Sequence, residues 1–156
     1  MHQVLPGGGV NLHQIVLVVA RFPLAALFLA AGYGHFASPD KFIGIMRGLP
    51  LPALHAPAMY ATGVLEALAG VALALQPSEH VCNAVIALVL LMSPANVNMW
   101  WNDVPFGRDR LKYGTKGFTH ALRFALQLAL IAWLYALGRA ARGEAANDAA
   151  GAKRAA

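Results

Sequence analysis

Phe28-Leu29-Ala30-Ala31-Gly32-Tyr33-Gly34-His35-Phe36-Ala37-Ser38-Pro39-Asp40-Lys41-Phe42 decides how this chain is read. It joins the end of a long apolar segment to a boundary histidine and then to a helix-start signature. Ser38 is a good N-cap, Pro39 suits the first helical position, and Asp40 favours the positive end of a helix. Gly48 suits the stop, so residues 38–48 are expected to form a short helix with Phe42, Ile45, Met46 and Leu49 on its apolar side. That piece is too short to cross a bilayer and belongs at the interface or over the end of a bundle.

Upstream of His35, residues 14–36 form one apolar span. At about 1.5 Å per residue, roughly 20 residues cross a hydrocarbon core about 30 Å thick. Downstream, residues 56–76, 80–101 and 118–137 repeat that length and character. The chain of 156 residues is 58% hydrophobic and 12% charged, with a mean hydropathy of +0.54. A soluble domain carries about 25% charged residues. The expected fold is therefore all-α: an integral membrane four-helix bundle with a short interfacial helix between spans one and two. Residues 1–12, with Pro6 and the run Gly7-Gly8-Gly9, read as a flexible tail; they lack the basic start of a secretory signal. Residues 13–138 form the four-span domain, and the Ala/Gly/Arg-rich residues 139–156 read as a disordered tail.

Charge and cysteine content narrow the function. The formal charge of +5 sits beside apolar segments, at Arg108, Arg110, Lys112, Lys116, Arg139 and Arg142, as expected for cations flanking membrane helices. No basic run is interleaved with aromatics, which argues against nucleic acid. Cys82 is the only cysteine, so an internal disulfide, a dithiol relay and a multi-cysteine metal site are excluded; it reads as a small apolar residue.

Polar residues inside the spans recur at helical spacing. Arg21 shares a face with Phe28, Gly32 and His35 in span one, and Gly32 and Gly34 allow close approach of a neighbour. Gly63, Glu66 and Gly70 stand at i, i+3 and i+7 in span two, as do Ser93, Asn96 and Trp100 in span three and His120, Arg123 and Gln127 in span four. Pro94 should kink span three and free a carbonyl about one turn earlier. Pro23 is a candidate bend in span one, and Pro50, Pro52 and Pro57 break the chain around the start of span two.

Alternating chain direction brings the end of span one, the start of span two, the end of span three and the start of span four to one membrane face. His35, His55, His120, Trp100 and Trp101 lie there, with Asn96 and Arg123 about a turn deeper and Glu66, Gln127 and Ser93 near the centre. Charged residues at mid-membrane cost about 2.5–3.5 kcal/mol on insertion scales and normally pair within a bundle. With span midpoints aligned, Glu66 is expected to form an ion pair with Arg123 or with Arg21. Such a pair either fixes helix packing or serves a function. Two imidazoles among His35, His55 and His120 could ligate a b-type haem, although all three lie near the interface, where water solvates a polar ring. Trp100, Trp101 and Tyr113 read as an interfacial aromatic belt.

The chain resembles the DoxX family of small four-helix bacterial membrane proteins. The matching residues are Arg21, Phe28-Leu29-Ala30-Ala31-Gly32, His35-Phe36, Pro39 and Phe42; then Gly63-Val64-Leu65-Glu66 with Gly70; then Pro94-Ala95-Asn96-Val97 with Met99; and last Arg123 with Gln127. Their order and spacing cover residues 15–138. The resemblance implies a multi-pass protein of the bacterial inner membrane associated with an oxidoreductase, and supplies no catalytic residue set. The family takes its name from a subunit of a thiosulfate:quinone oxidoreductase. With one cysteine, sulfur chemistry here would need a partner protein or an electrostatic anion site.

Two readings follow. In one, the chain is a small subunit of, or partner to, a quinone-linked membrane system, and a small amphipathic ligand binds in the polar half of the bundle. His35, Asn96, His120 and Arg123 would then meet its headgroup, Gln127 would line the cavity, and Glu66 would set local charge or carry a proton. In the other, the chain is a non-catalytic scaffold or assembly protein whose polar cluster only fixes packing. Oligomers are compatible with both. Lys and Arg outside the spans divide six to four between the two faces, too even a split to set orientation by the positive-inside rule.

Overall fold

The computed structural model describes residues 12–102, 104 and 116–155, the side chains of 12–17, 116, 117, 148 and 155 excepted. The expected flexible tail before Leu12 and most of the polar loop between spans three and four lie outside the described residues. Helix α1 covers Leu12–Ala37, α2 Pro39–Gly44, a 3-10 turn Pro52–Leu54, α3 His55–Leu75, α4 Glu79–Leu91, α5 Ser93–Trp101 and α6 Lys116–Ala155. No strand occurs among the described residues. Among the described residues, four helical stretches are long and apolar enough to cross a membrane: Val18–Ala37, Pro52–Leu75, Glu79–Trp101 and Phe118–Arg154. The molecule is an all-α four-helix bundle. Its outward side chains include Val19, Leu27, Leu68, Leu75, Leu91, Leu126 and Leu128, a surface suited to lipid.

The bundle is built from two antiparallel pairs, α1 with α3 and α4 with α6, joined by a thinner seam between α3 and α4. Glycine sets the first pair. A Cβ at Gly32 would come within 2.7 Å of the Ala67 nitrogen, and one at Gly70 within 2.8 Å of the Ala25 carbonyl. Hydrogen at these positions lets the backbones touch, the mode of association that small residues permit between membrane helices. In the second pair, Gly138 lies against Cys82, where an added Cβ would stand 3.0 Å from the cysteine Cβ. Cys82 is fully buried and serves as a small core residue.

All four spans share one apolar core: Leu24, Ala25 and Phe28 of α1, Ala69 and Leu73 of α3, Cys82, Val85, Leu88 and Val89 of α4, Leu134 and Leu137 of α6. Apart from Phe28, near the middle of span one, these lie in the half of each span away from His35. The two polar clusters occupy the other half, and Arg21 is the exception.

Span three is interrupted at Met92 between α4 and α5, beside the expected Pro94 kink, while the boundaries of α2 and α6 differ from expectation. Pro94 cannot donate to a carbonyl one turn back, and the Val89 carbonyl nearby accepts instead from the Ser93 hydroxyl at 3.2 Å. The interfacial helix ends at Gly44 rather than Gly48, and Gly48 adopts φ +92, where an L side chain would be strained. Ser38 precedes α2 without a side-chain cap; its N–H donates to the Gly34 carbonyl at 2.9 Å and continues α1. Lastly, the expected disordered tail continues α6 as helix to Ala155. Its alanines have the highest intrinsic helix propensity, which composition alone read as low complexity. Arg142 also reaches Glu79 at the start of α4, at 3.2 Å, and ties this extension to the bundle.

Candidate functional site

His35 stands in the last turn of α1 and Glu66 in the middle of α3. In a helix the Cα–Cβ bond tilts toward the N-terminus. Because α1 and α3 are antiparallel, the His35 ring leans inward from the membrane face while the Glu66 carboxylate leans outward to meet it. The His35 Nε2 lies 3.0 Å from Glu66 Oε2. Both residues are buried, at 6% and 4% exposure. The contact is short but off the line of a hydrogen bond, and Oε2 has no other partner.

The other ring nitrogen fixes the tautomer. His35 Nδ1 lies 2.9 Å from the Met59 carbonyl. A carbonyl only accepts, so Nδ1 carries a hydrogen and donates it. Nε2 and Oε2 then face each other with one proton between them when the pair is neutral overall: imidazolium with carboxylate, or imidazole with carboxylic acid. Phe42 of α2 covers the ring, with centroids 3.9 Å apart and planes at 29°. The short helix after span one is thus a lid on the histidine, and this gives the apolar side of residues 38–48 its task.

The expected ion pair of Glu66 with Arg123 or Arg21 is not formed; the carboxylate's partner is His35. Two effects explain the correction. The contacts of Ala25 with Gly70 and of Gly32 with Gly63 and Ala67 stagger α3 against α1 relative to aligned midpoints. In addition, fourteen residues separate Arg21 from His35 on α1, about 21 Å along the axis. Arg123 is engaged on α5 instead, its Nη1 donating to Met99 Sδ at 2.9 Å.

A second polar cluster joins α4, α5 and α6 at the Met92 break. Asn96 Nδ2 donates to Gln127 Oε1 at 2.9 Å. Gln127 Nε2 donates to Ser93 Oγ at 2.6 Å and to the Val89 carbonyl at 3.3 Å. The carbonyl beside the proline break is thus satisfied twice, once from its own helix and once from α6.

The six expected ligand residues are accordingly distributed. His35 and Glu66 form one site, Asn96 and Gln127 belong to the second, Arg123 lies against Met99, and His120 is buried in the first described turns of α6. His55, weighed as a haem ligand, has a buried Nε2 without a hydrogen-bond partner, while both nitrogens of His35 are engaged. A groove of about 520 Å³ lies instead beside α5, lined chiefly by Leu49, Leu90, Pro94, Val97 and Trp101.

Sequence reading missed Asn98. It is 5% exposed, and its Nδ2 donates to the carbonyls of Ile45 at 2.8 Å and Arg47 at 2.9 Å, while its Oδ1 accepts from Asn102 at 2.7 Å. It anchors the turn after α2 and so helps hold Phe42 over His35. Its position two residues after Asn96 places it on a different helix face, and an amide four residues before a second amide was the available signal.

No curated protein and no solved structure shows a significant match to this chain. A family described as a domain of unknown function, DUF8561, matches residues 24–138. That range takes in both polar clusters, the glycine seam and the shared core, and the chain belongs to this family.

Proposed function

We propose that the chain is a small multi-pass subunit of, or partner to, a quinone-linked redox system in the bacterial inner membrane. In this reading the His35–Glu66 pair is its proton-holding site beside a small amphipathic ligand. The observation that carries it is a carboxylate 4% exposed within a span whose charge is met by a single imidazole. Ionisable groups inside a membrane bundle are expensive and mark proton or ligand sites by default. A quinone takes up protons with its electrons, and a pair that holds one proton inside the bundle is what a partner of such chemistry would contribute. The electrons would come from another subunit. The DoxX resemblance, whose matching residues include both His35 and Glu66, supports the redox setting.

Absorption spectroscopy and extracted-lipid mass spectrometry on the protein in mild detergent test this, comparing wild type with Glu66→Gln. A quinone-class molecule that accompanies wild type and is depleted from the variant is the expected result. Equal quinone in both would remove the pair from ligand binding, and a Soret band would replace quinone with haem.

The scaffold reading has its own support in the Asn96–Gln127–Ser93 cluster, whose hydrogen bonds are spent within the bundle. It expects both variants to purify alike and free of ligand.

A further inference from the structure

Arg21 is a charged residue inside a span that neither polar cluster uses. It lies in α1 nine residues after Leu12, in the half of span one away from His35. Its Nε is buried without a hydrogen-bond partner, and its guanidinium sits over the ring of Phe22, 4.9 Å from the centroid. Among the described residues Glu66 is paired with His35 and Glu79 with Arg142, and Glu144 of α6, at the same end of the bundle, forms no ion pair with Arg21. Asp40 stands beyond the opposite end of α1. The seam register, Ala25 beside Gly70, sets Arg21 level with Ala74 and Leu75 of α3, which offer no anion.

A cation this deep in an apolar segment needs a counter-charge. Two directions favour the near headgroups as its source. Arg21 lies in the N-terminal half of its span, and a helical side chain leans toward that end. Its neighbours Val18, Val19 and Phe22 are exposed on the outside of the bundle, and the guanidinium lies against the Phe22 ring on that side. Long cationic side chains reach the interface in this way, and a guanidinium presents paired donors to a phosphate. At the same end of the bundle, Ala20 of α1 and Ala140 of α6 pack against the core, and exposed Arg139 precedes Ala140.

We infer that Arg21, with Arg139 as a weaker second cation, binds the phosphate of an anionic phospholipid at the membrane face opposite the His35–Glu66 pair. The probe is phosphatidylglycerol against phosphatidylcholine of the same chains, titrated into the full-length protein in detergent and read by native mass spectrometry. Wild type should prefer phosphatidylglycerol by about fivefold or more, the size expected from one cation near an anionic headgroup. Arg21→Gln should abolish most of that preference, Arg21→Lys should keep part of it, and Arg139→Gln should lower it less than Arg21→Gln does. Lys41→Gln, on the other face, should leave it unchanged. Inorganic phosphate should not displace the lipid; displacement would overturn the lipid assignment in favour of a free-anion site. Equal binding of the two lipids by wild type, or an undiminished preference in Arg21→Gln, would overturn the site itself.

Discussion

A Cβ on Gly63 would stand 2.6 Å from the Cβ of His35. The histidine reaches Glu66 because the residue one turn before that carboxylate has no side chain. Packing and site are thus one arrangement on this face of α3.

Gly63→Ala should therefore destabilise the bundle by about 1–3 kcal/mol, the range for an overpacked core, and displace the His35 ring from Glu66. Gly44→Ala, where nothing lies within 4 Å of the added Cβ, is the matched control. Thermal unfolding in detergent of the two variants decides it; equal melting would show that α1 and α3 can separate freely.

The pair itself should be asymmetric. His35→Leu leaves a buried carboxylate alone and should cost about 3 kcal/mol or more. Glu66→Met leaves a neutral imidazole still donating to Met59 and should cost less. The double variant should be more stable than His35→Leu alone, so a double-mutant cycle reads out strong coupling. Additive losses would mean that the two side chains act independently.

Much of this was legible in the sequence. Hydropathy and length gave four spans, because lipid demands long helices whose backbone groups are satisfied internally. The i, i+3, i+7 spacing put Gly63, Glu66 and Gly70 on one helix face, and that face packs against α1. The partner of Glu66 was not legible. Depth along the membrane normal was taken from span midpoints, and the glycine contacts shift the two helices relative to those midpoints. Side-chain lean adds to this, bringing His35 and Glu66 together from different backbone heights, while Arg123 is engaged by Met99. The helical end of α6 was hidden for another reason: an alanine-rich run is both low in complexity and high in helix propensity, and composition does not choose between them.

Gln127→Leu should cost about 0.6–1.7 kcal/mol, the span measured for polar contacts between membrane helices. It removes the acceptor of Asn96 and two donors at once. Hydrogen exchange should rise first around the Met92 break, where the Val89 carbonyl loses one of its two donors. Exchange that rises uniformly over α6 instead would argue that the cluster does not serve the proline break.

Asn98→Ala should loosen residues 45–49 without unfolding the spans, since it frees two carbonyls of that turn. Limited proteolysis after Arg47, checked by mass spectrometry, should accelerate by several-fold. Asn98→Asp should be worse than Asn98→Ala, because it sets an acceptor against two acceptors. If cleavage is unchanged in both variants, the turn is held by something other than this amide.

The division of the bundle into α1 with α3 and α4 with α6 bears on how the protein is made. Glu66 finds its imidazole within the first pair, while Asn96, Gln127, Arg123 and Glu79 find Ser93, Met99 and Arg142 within the second. During synthesis the first hairpin can enter lipid with its carboxylate already covered before α4 has left the ribosome. The second hairpin brings its own partners for these groups, and only Asn98 takes its acceptors, Ile45 and Arg47, from the first. Neither half has to wait in the bilayer for the other to neutralise the groups of its two clusters, and fragments 1–77 and 78–156, co-expressed, should each insert and then dock through the apolar core.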